Sequence, residues 1–309
     1  MRSEAHDVKI GIIGMGRVGT SVASSILHMG VARELLVHDR DTERAEGEVL
    51  DLGHGNPFYP AADIHMAALD DFVSCDAVVI SAGRNSRPGE SRLALLRDNA
   101  KTIEAIAASL AKCKGLLLVV SNPVDILTQI ATEASGLPPA RVIGTGTLLD
   151  TARLRHAVGR ELAIDPRSIH AHVLGEHGDS EVVAWSSARV GGTPLRRLPA
   201  WTPMLEPRLA TEVREAAYQI IQRKGATNHA IGFATAALLR WALRDERRVL
   251  TVSRVQDGAS GIAGVSLSLP AVVGRDGASV VIEPELDDTE RQALERSVSV
   301  LREARASLS

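Results

Sequence analysis

The sequence predicts an α/β protein, with a doubly wound parallel sheet over residues 1–145 and an α+β domain over residues 146–309. Three observations carry this. Residues 77–80 (AVVI) and 116–120 (LLLVV) are unbroken apolar runs, as expected of parallel strands covered by helices on both faces. Residues 8–38 read as strand, glycine turn, helix and strand. After residue 145 the apolar runs shorten and glycines separate them, the pattern of antiparallel strands mixed with helices.

In chain order, residues 8–14 form a β-rich run ending in glycine, 18–29 have helical character, and Glu34–His38 is a second buried strand. Strands follow at 76–81 and 115–121, with helices over 91–114 and 124–135, and 141–144 closes the first sheet. In the second part 148–158 reads helical, 168–175 and 182–186 read as strands, and 188–204 as a Pro/Gly-rich loop. A helical stretch over 205–243 is interrupted near Gly225. Strands are expected at 249–255, 265–269 and 279–282, then a helix over 287–309. No repeat or low-complexity linker divides the chain, so its halves are expected to pack tightly.

Composition narrows the function. With 45% hydrophobic and 24% charged residues, the 309-residue chain is that of a folded soluble protein. A net charge of −3 argues against a nucleic-acid or anionic-membrane partner. Cys75 and Cys113 lack metal or redox spacing and read as buried thiols in a reducing compartment. Without a secretory signal or a membrane-length apolar run, the expected location is the cytoplasm.

Gly14-Met15-Gly16-Arg17-Val18-Gly19 follows the first strand and opens a helix, the context in which G-x-G-x-x-G binds a dinucleotide in a Rossmann domain. The glycines allow a tight turn and close approach of a pyrophosphate to the helix N-terminus. Asp39 ends the second strand about 20 residues later, placed to accept hydrogen bonds from the ribose hydroxyls. A carboxylate there repels a 2′-phosphate, so NAD is expected over NADP, although Arg40 could soften that preference. Residues 82–92 and 121–125 follow later strands and therefore fall at the carboxyl edge of the sheet, where ligands bind.

Gly175-Glu176-His177-Gly178-Asp179-Ser180 sets a histidine, which titrates near neutral pH, between glycines and acids. Alone it is more often a turn residue than a catalyst. Asp150 and Arg153 stand one helical turn apart upstream, where a surface ion pair is the plainer alternative. Arg92 could merely solvate a helix start, and Asn122 before Pro123 could be only a helix cap.

Taken jointly, residues 14–19, Asp39, 88–92, 121–127 (SNPVDIL), 144–155 (GTGTLLDTARLR), 175–180 and 224–232 (KGATNHAIG) resemble the lactate/malate dehydrogenase family over nearly the whole chain. Malate-type relatives usually carry Met at the place of Glu90 and Gly at that of Glu176, so the resemblance leans to the lactate branch of bacterial type. It implies that His177 is the general acid/base, that Asp150 holds its imidazole, and that Arg153 pairs with a substrate carboxylate. It also implies that Arg92 polarises the reacting carbonyl, that Asn122 hydrogen-bonds near nicotinamide and substrate, that Thr227 lines the pocket, that Ile231 presses on the nicotinamide, and that Ala82, Gly83, Asn99 and Ser121 complete the cofactor contacts.

The chain departs from that pattern at Ser86, where lactate-specific members usually have Gln and malate-specific members Arg, and at Arg87, where Lys is usual. A short neutral side chain cannot pair the second carboxylate of oxaloacetate. The expected reaction is therefore NADH reduction of pyruvate or a somewhat larger 2-oxo acid to the L-2-hydroxy acid. A malate dehydrogenase, with Arg84 or Arg87 swinging in, and a broad L-2-hydroxyacid dehydrogenase are the alternatives. An NAD- and metal-dependent glycosidase would have Cys at the place of Ser121, and a non-catalytic NAD-binding regulator would not need His177, Asp150, Arg153 and Arg92 together.

Arg155 and His170 match positions that bind fructose 1,6-bisphosphate in many bacterial members, which makes allosteric activation an open expectation. His170, His172 and His177 suggest a metal only superficially, since no further ligands are evident, and none is expected. The resemblance implies a homodimer or homotetramer.

Overall fold

The computed structural model describes residues 7–84 and 92–308, residue 92 by its backbone alone. In chain order the first half runs β1 (Lys9–Ile13), α1 (Arg17–His28), β2 (Glu34–His38), α2 (Thr42–His54), β3 (Asp63–Met66), β4 (Ala77–Ile80), α3 (Arg92–Ser109), β5 (Leu116–Val119), α4 (Val124–Ser135) and β6 (Val142–Gly144). The second half continues with α5 (Leu148–Leu162), β7 (Ile169–His170), β8 (Val173–Leu174), β9 (Val182–Val183), β10 (Arg189–Val190), β11 (Thr193–Pro194), α6 (Leu205–Lys224) and α7 (His229–Leu243). It closes with β12 (Arg248–Asp257), β13 (Ala263–Gly274), β14 (Gly277–Val281) and α8 (Asp288–Ala306).

Strands β1 to β6 pair in parallel in the order 3-2-1-4-5-6, the doubly wound arrangement of a Rossmann domain. The order reverses between β1 and β4, so the crevice for a ligand opens where residues 14–19 and 81–84 leave the sheet. Alternate side chains serve opposite faces. Val78, Ile80, Leu117 and Val119 pack with Ile103 of α3, Leu110 just after it, Leu127 of α4 and Leu301 of α8. Ala77, Val79, Leu116 and Leu118 pack with Val22 and Ile26 of α1 and Leu238 and Leu239 of α7. Helices from the second half therefore help cover both faces of the first sheet. A third core joins Leu154 and Val158 of α5 to Trp185, Trp201 and Leu209.

The structure corrects three readings of the sequence and adds two elements, α2 and β3. The sheet does not end at 141–144: Gly144 of β6 pairs antiparallel with Ser253 of β12, and β12, β13 and β14 extend the sheet to nine strands. A free edge at β6 would leave backbone groups unpaired, and β12 covers it. Helix α2, which the sequence reading did not include, sets Ala45, Val49 and Leu52 against the sheet, with only Ala45 fully buried, and Asp41 caps it through the Arg44 N–H. β3 (DIHM) is a largely exposed edge strand with no apolar run. The expected strand over 168–175 is split, with β7 pairing β10 and β8 pairing β9, and the expected 188–204 loop carries β10 and β11. Gly225 does end α6, in the left-handed region at φ 79°.

Candidate active site

At the end of β1, Gly14 adopts φ 103° and donates its N–H to His38 O at 2.7 Å. A Cβ on Gly14 would strike the backbone of Ala82, so only glycine lets the turns after β1 and β4 touch. Gly16 differs, since a Cβ there would meet nothing within 4 Å. That open space lies at the N-cap of α1, where no side chain caps the first-turn N–H groups, and Arg17 beside it is exposed. A pyrophosphate fits both the space and the dipole. Val18 is half-buried, and a Cβ on Gly19 would run into Gly14 O. Asp39 braces the same turn by accepting the Met15 N–H at 2.6 Å and the Asp41 N–H at 3.0 Å. Ile231 on α7 packs on the α1 side of the sheet.

Across the crevice, the Ser121 hydroxyl donates to Ala82 O at 2.5 Å and joins the carboxyl ends of β4 and β5. Buried Asn99 accepts the Arg84 N–H at 3.0 Å and donates to Asn122 O at 3.1 Å. Gly83 lies against the Asn99 side chain. The N-cap of α4 is Pro123, and Asn122 just before it accepts the Val124 N–H on its Oδ1 at 3.3 Å. The Arg84 guanidinium grips Asp98 through Nε at 3.0 Å and Nη2 at 2.7 Å. Ser86 and Arg87 lie outside the described residues, as does the side chain of Arg92 at the start of α3.

The chemistry-bearing residues meet at the first turn of α5. His177 Nδ1 is 2.5 Å from Asp150 Oδ2, and Arg153 Nη1 donates to Asp150 Oδ1 at 2.7 Å. The pair is not on the surface: the Asp150 side chain is 3% exposed and that of Arg153 15%. The main chain of His177 is held as well, its N–H donating to Asp125 Oδ2 at 2.7 Å. Burial pulls the His177 imidazolium down, but attraction to Asp150 and the hydrogen bond with it prevail, with a smaller pull from Asp125, and its pKa rises to about 9. Asp150 is opposed by its own burial yet stays below the usual carboxylate range, because His177 and Arg153 favour its charge.

Glu176 accepts both the hydroxyl (2.5 Å) and the N–H (3.3 Å) of Ser180, while its own N–H donates to Ser297 Oγ at 2.7 Å. Thr227 is half-buried in the connection between α6 and α7. Two carboxyl groups near His177 were not singled out in the sequence. Asp125 was visible only as a member of the 121–127 run. Glu181 had no signal at all; burial and the charge of Asp150 push it up to about 8.

Arg155 lies roughly 200° around α5 from Arg153 and so faces away from this cluster. Its Nε donates to Ala171 O at 3.1 Å, and exposed His170 lies on the same side. Burial, with Arg155 and His170 nearby, lowers His172 to about 4.

The family described as "lactate/malate dehydrogenase, NAD binding domain" matches residues 8–144, and "lactate/malate dehydrogenase, alpha/beta C-terminal domain" matches 147–307. The chain is 44% identical to an L-lactate dehydrogenase of Synechococcus sp. (strain JA-3-3Ab), covering 96% of this chain and 98% of the relative. It is 42% identical to an L-lactate dehydrogenase of Thermus aquaticus over 97% of this chain and 99% of the relative. The solved structure of the minor L-lactate dehydrogenase from Enterococcus mundtii, in a ligands-bound form, superposes with a TM-score of 0.95 at 37% identity, covering 98% and 99% of the two chains.

Proposed function

The chain belongs to the lactate/malate dehydrogenase family, and on that premise we propose that it interconverts pyruvate and L-lactate as an NAD-dependent L-lactate dehydrogenase. The Asp150–His177 contact carries this reading. With Nδ1 committed to Asp150, the imidazole has Nε2 left to give a proton to a carbonyl oxygen, and to take it back in the reverse direction. NAD supplies and accepts the hydride. Gly14, Gly16, the start of α1 and Asp39 would hold its pyrophosphate and ribose.

Arg153 seats the substrate carboxylate beside His177, a planar fork that lysine does not reproduce. Arg92 at the head of α3 stabilises charge developing on the carbonyl oxygen, and Asn122, Thr227 and Ile231 line the space between substrate and nicotinamide. The domains divide at 145/146, with the nucleotide turn and Asp39 before that point and His177, Asp150 and Arg153 after it.

Ser86 favours a monocarboxylate and leaves room for substrates somewhat larger than pyruvate. The grip of Asp98 on Arg84 supports this, since it opposes Arg84 turning toward a second carboxylate. Three further readings follow. The two buried free thiols suit a reducing cytoplasm. Leu50 on the sparsely buried α2, Phe58 shortly after it and Phe233 on α7 are exposed apolar side chains, which supports a homo-oligomer. Arg155 with His170 supports a site for fructose 1,6-bisphosphate.

Loss of NADH absorbance with pyruvate, 2-oxobutyrate, 2-oxoisocaproate and oxaloacetate tests the activity. Turnover is expected with the first three, and a strong preference for oxaloacetate would replace this reading by malate dehydrogenase.

A further inference from the structure

We propose that Asp125 is a positioning residue for His177: a buried carboxylate that fixes the histidine's main chain to the start of α4 and places a second negative charge beside its ring. The proposal rests on the acid/base role of His177 given above. Asp125 is 1% exposed and lies in the first turn of α4. Its Oδ2 accepts the His177 N–H at 2.7 Å and its Oδ1 accepts the Ser253 hydroxyl at 2.6 Å. Ser253, on β12, is itself fully buried and lies 3.0 Å from Ser266 Oγ on β13. One carboxylate thus joins four segments that are remote in sequence: α4, the histidine loop, β12 and β13.

The placement matters for the reaction. Asn122, three residues before Asp125, stands at the carboxyl end of β5 and is clamped by Asn99. The residue bordering the nicotinamide pocket and the anchor of the proton donor therefore belong to one rigid helix start. A shift of the histidine loop relative to the cofactor would have to break the Asp125 bond.

Only a carboxylate satisfies both neighbours as acceptor while also carrying charge. The groups facing His177 are Asp150 and Arg153 from α5, Asp125 from α4, and Glu181 beyond the loop, with Glu176 adjoining Asp125. Asp150 touches the ring and sets its tautomer, whereas Asp125 acts through the backbone and through space. Burial raises Asp125 to about 6, opposed by the Ser253 hydroxyl and the His177 N–H, so it is largely ionised at neutral pH.

Two variants separate geometry from charge. In Asp125→Asn the oxygen can still accept from the His177 N–H and the amide can donate to Ser253, so the connection survives without the charge. In Ser253→Ala the charge survives with a weaker seat. The direct readout is the titration of the His177 ring by NMR in the protein without substrate, which does not depend on turnover. Asp125→Asn is expected to lower the His177 pKa by about one unit, and Ser253→Ala to leave it within a few tenths. In pyruvate reduction, Ser253→Ala is expected to lower kcat several-fold with little change in KM.

An unchanged His177 pKa in Asp125→Asn, or an equal fall in both variants, would overturn the role of the charge. Unaltered kcat in Ser253→Ala would overturn the positioning role, and that result stands even if Asp125→Asn fails to fold. Absence of pyruvate turnover in the unaltered protein would instead remove the activity assignment, leaving the NMR comparison to judge Asp125.

Discussion

The glycine turn at residues 14–19 and the histidine loop at residues 175–180 both follow short buried strands, yet they are held in opposite ways. The turn is shaped mainly by backbone: Gly14 N–H bonds His38 O, Thr20 N–H bonds Gly16 O, and glycine at 14 leaves room for Ala82. The loop is held by side chains that arrive from far away in the sequence. Asp150 holds the ring of His177, Asp125 its N–H, and Ser297 the N–H of Glu176. A turn built from backbone tolerates few residue types but needs few partners. A loop built from remote side chains can have its chemistry retuned from several distant positions.

Substitutions on either side can break or sharpen this contrast. The largest effect is expected for His177→Asn, which removes the proposed proton donor. Its kcat for pyruvate reduction should fall by ~10²–10⁴-fold, while NADH binding, followed by nucleotide fluorescence, stays close to normal. Near-normal turnover would show that the loop does not supply the proton.

The next largest concerns pH. With protonated His177 as the proposed donor in reduction, kcat/KM for pyruvate should be level through neutral pH and fall about tenfold per unit once pH exceeds about 9. Lactate oxidation, which needs the neutral ring, should rise through the same range. Asp150→Asn removes the main attraction opposing burial and should bring this limb to the ordinary histidine value of about 6.5 or below. At pH 8 that alone lowers kcat/KM by roughly 30-fold, and an unmoved limb would mean that Asp150 does not control the ring.

On the backbone side, Gly14→Ala forces a left-handed conformation and a collision with Ala82. It should cost about 1–3 kcal/mol of stability, read as a lower Tm, and weaken NADH binding without moving the pH limb. A moved limb would show the two sites to be coupled. The smallest effect is expected for Ser297→Ala, which leaves the Glu176 N–H without its acceptor at about 1 kcal/mol. A few-fold loss of kcat with unchanged NADH affinity would place its influence on the histidine loop alone.

These contrasts track how much of the molecule was legible from residues alone. Wherever structure follows from local order, the sequence sufficed: strands β1, β2, β4 and β5 from their apolar runs, α1 from the turn before it, and the break at Gly225 from its φ-permissive residue. Asp39 was placed by its distance along one strand–helix–strand unit. His177, Asp150 and Arg153 were nameable because their motifs match a family, but the sequence left the Asp150–Arg153 pair open to a surface reading that burial removes.

What no local pattern determined was decided by packing. Helix α2 and strand β3 went unread because they bury few side chains fully: Ala45 in α2 and none in β3. The continuation of the sheet from β6 into β12 depends on a pairing between Gly144 and Ser253, residues too remote for any periodic signal to connect. The same is true of the carboxylates around His177. Asp125 and Glu181 become informative only when burial strips water from them and brings them beside the imidazole. The sequence by itself determined the α/β class and the nucleotide turn, because these rest on residue chemistry and short spacing, and through its family resemblance it named His177 as the candidate proton donor. The tertiary structure alone decided how that donor is held and charged, because hydrogen-bond geometry and desolvation exist only between segments that folding has brought together.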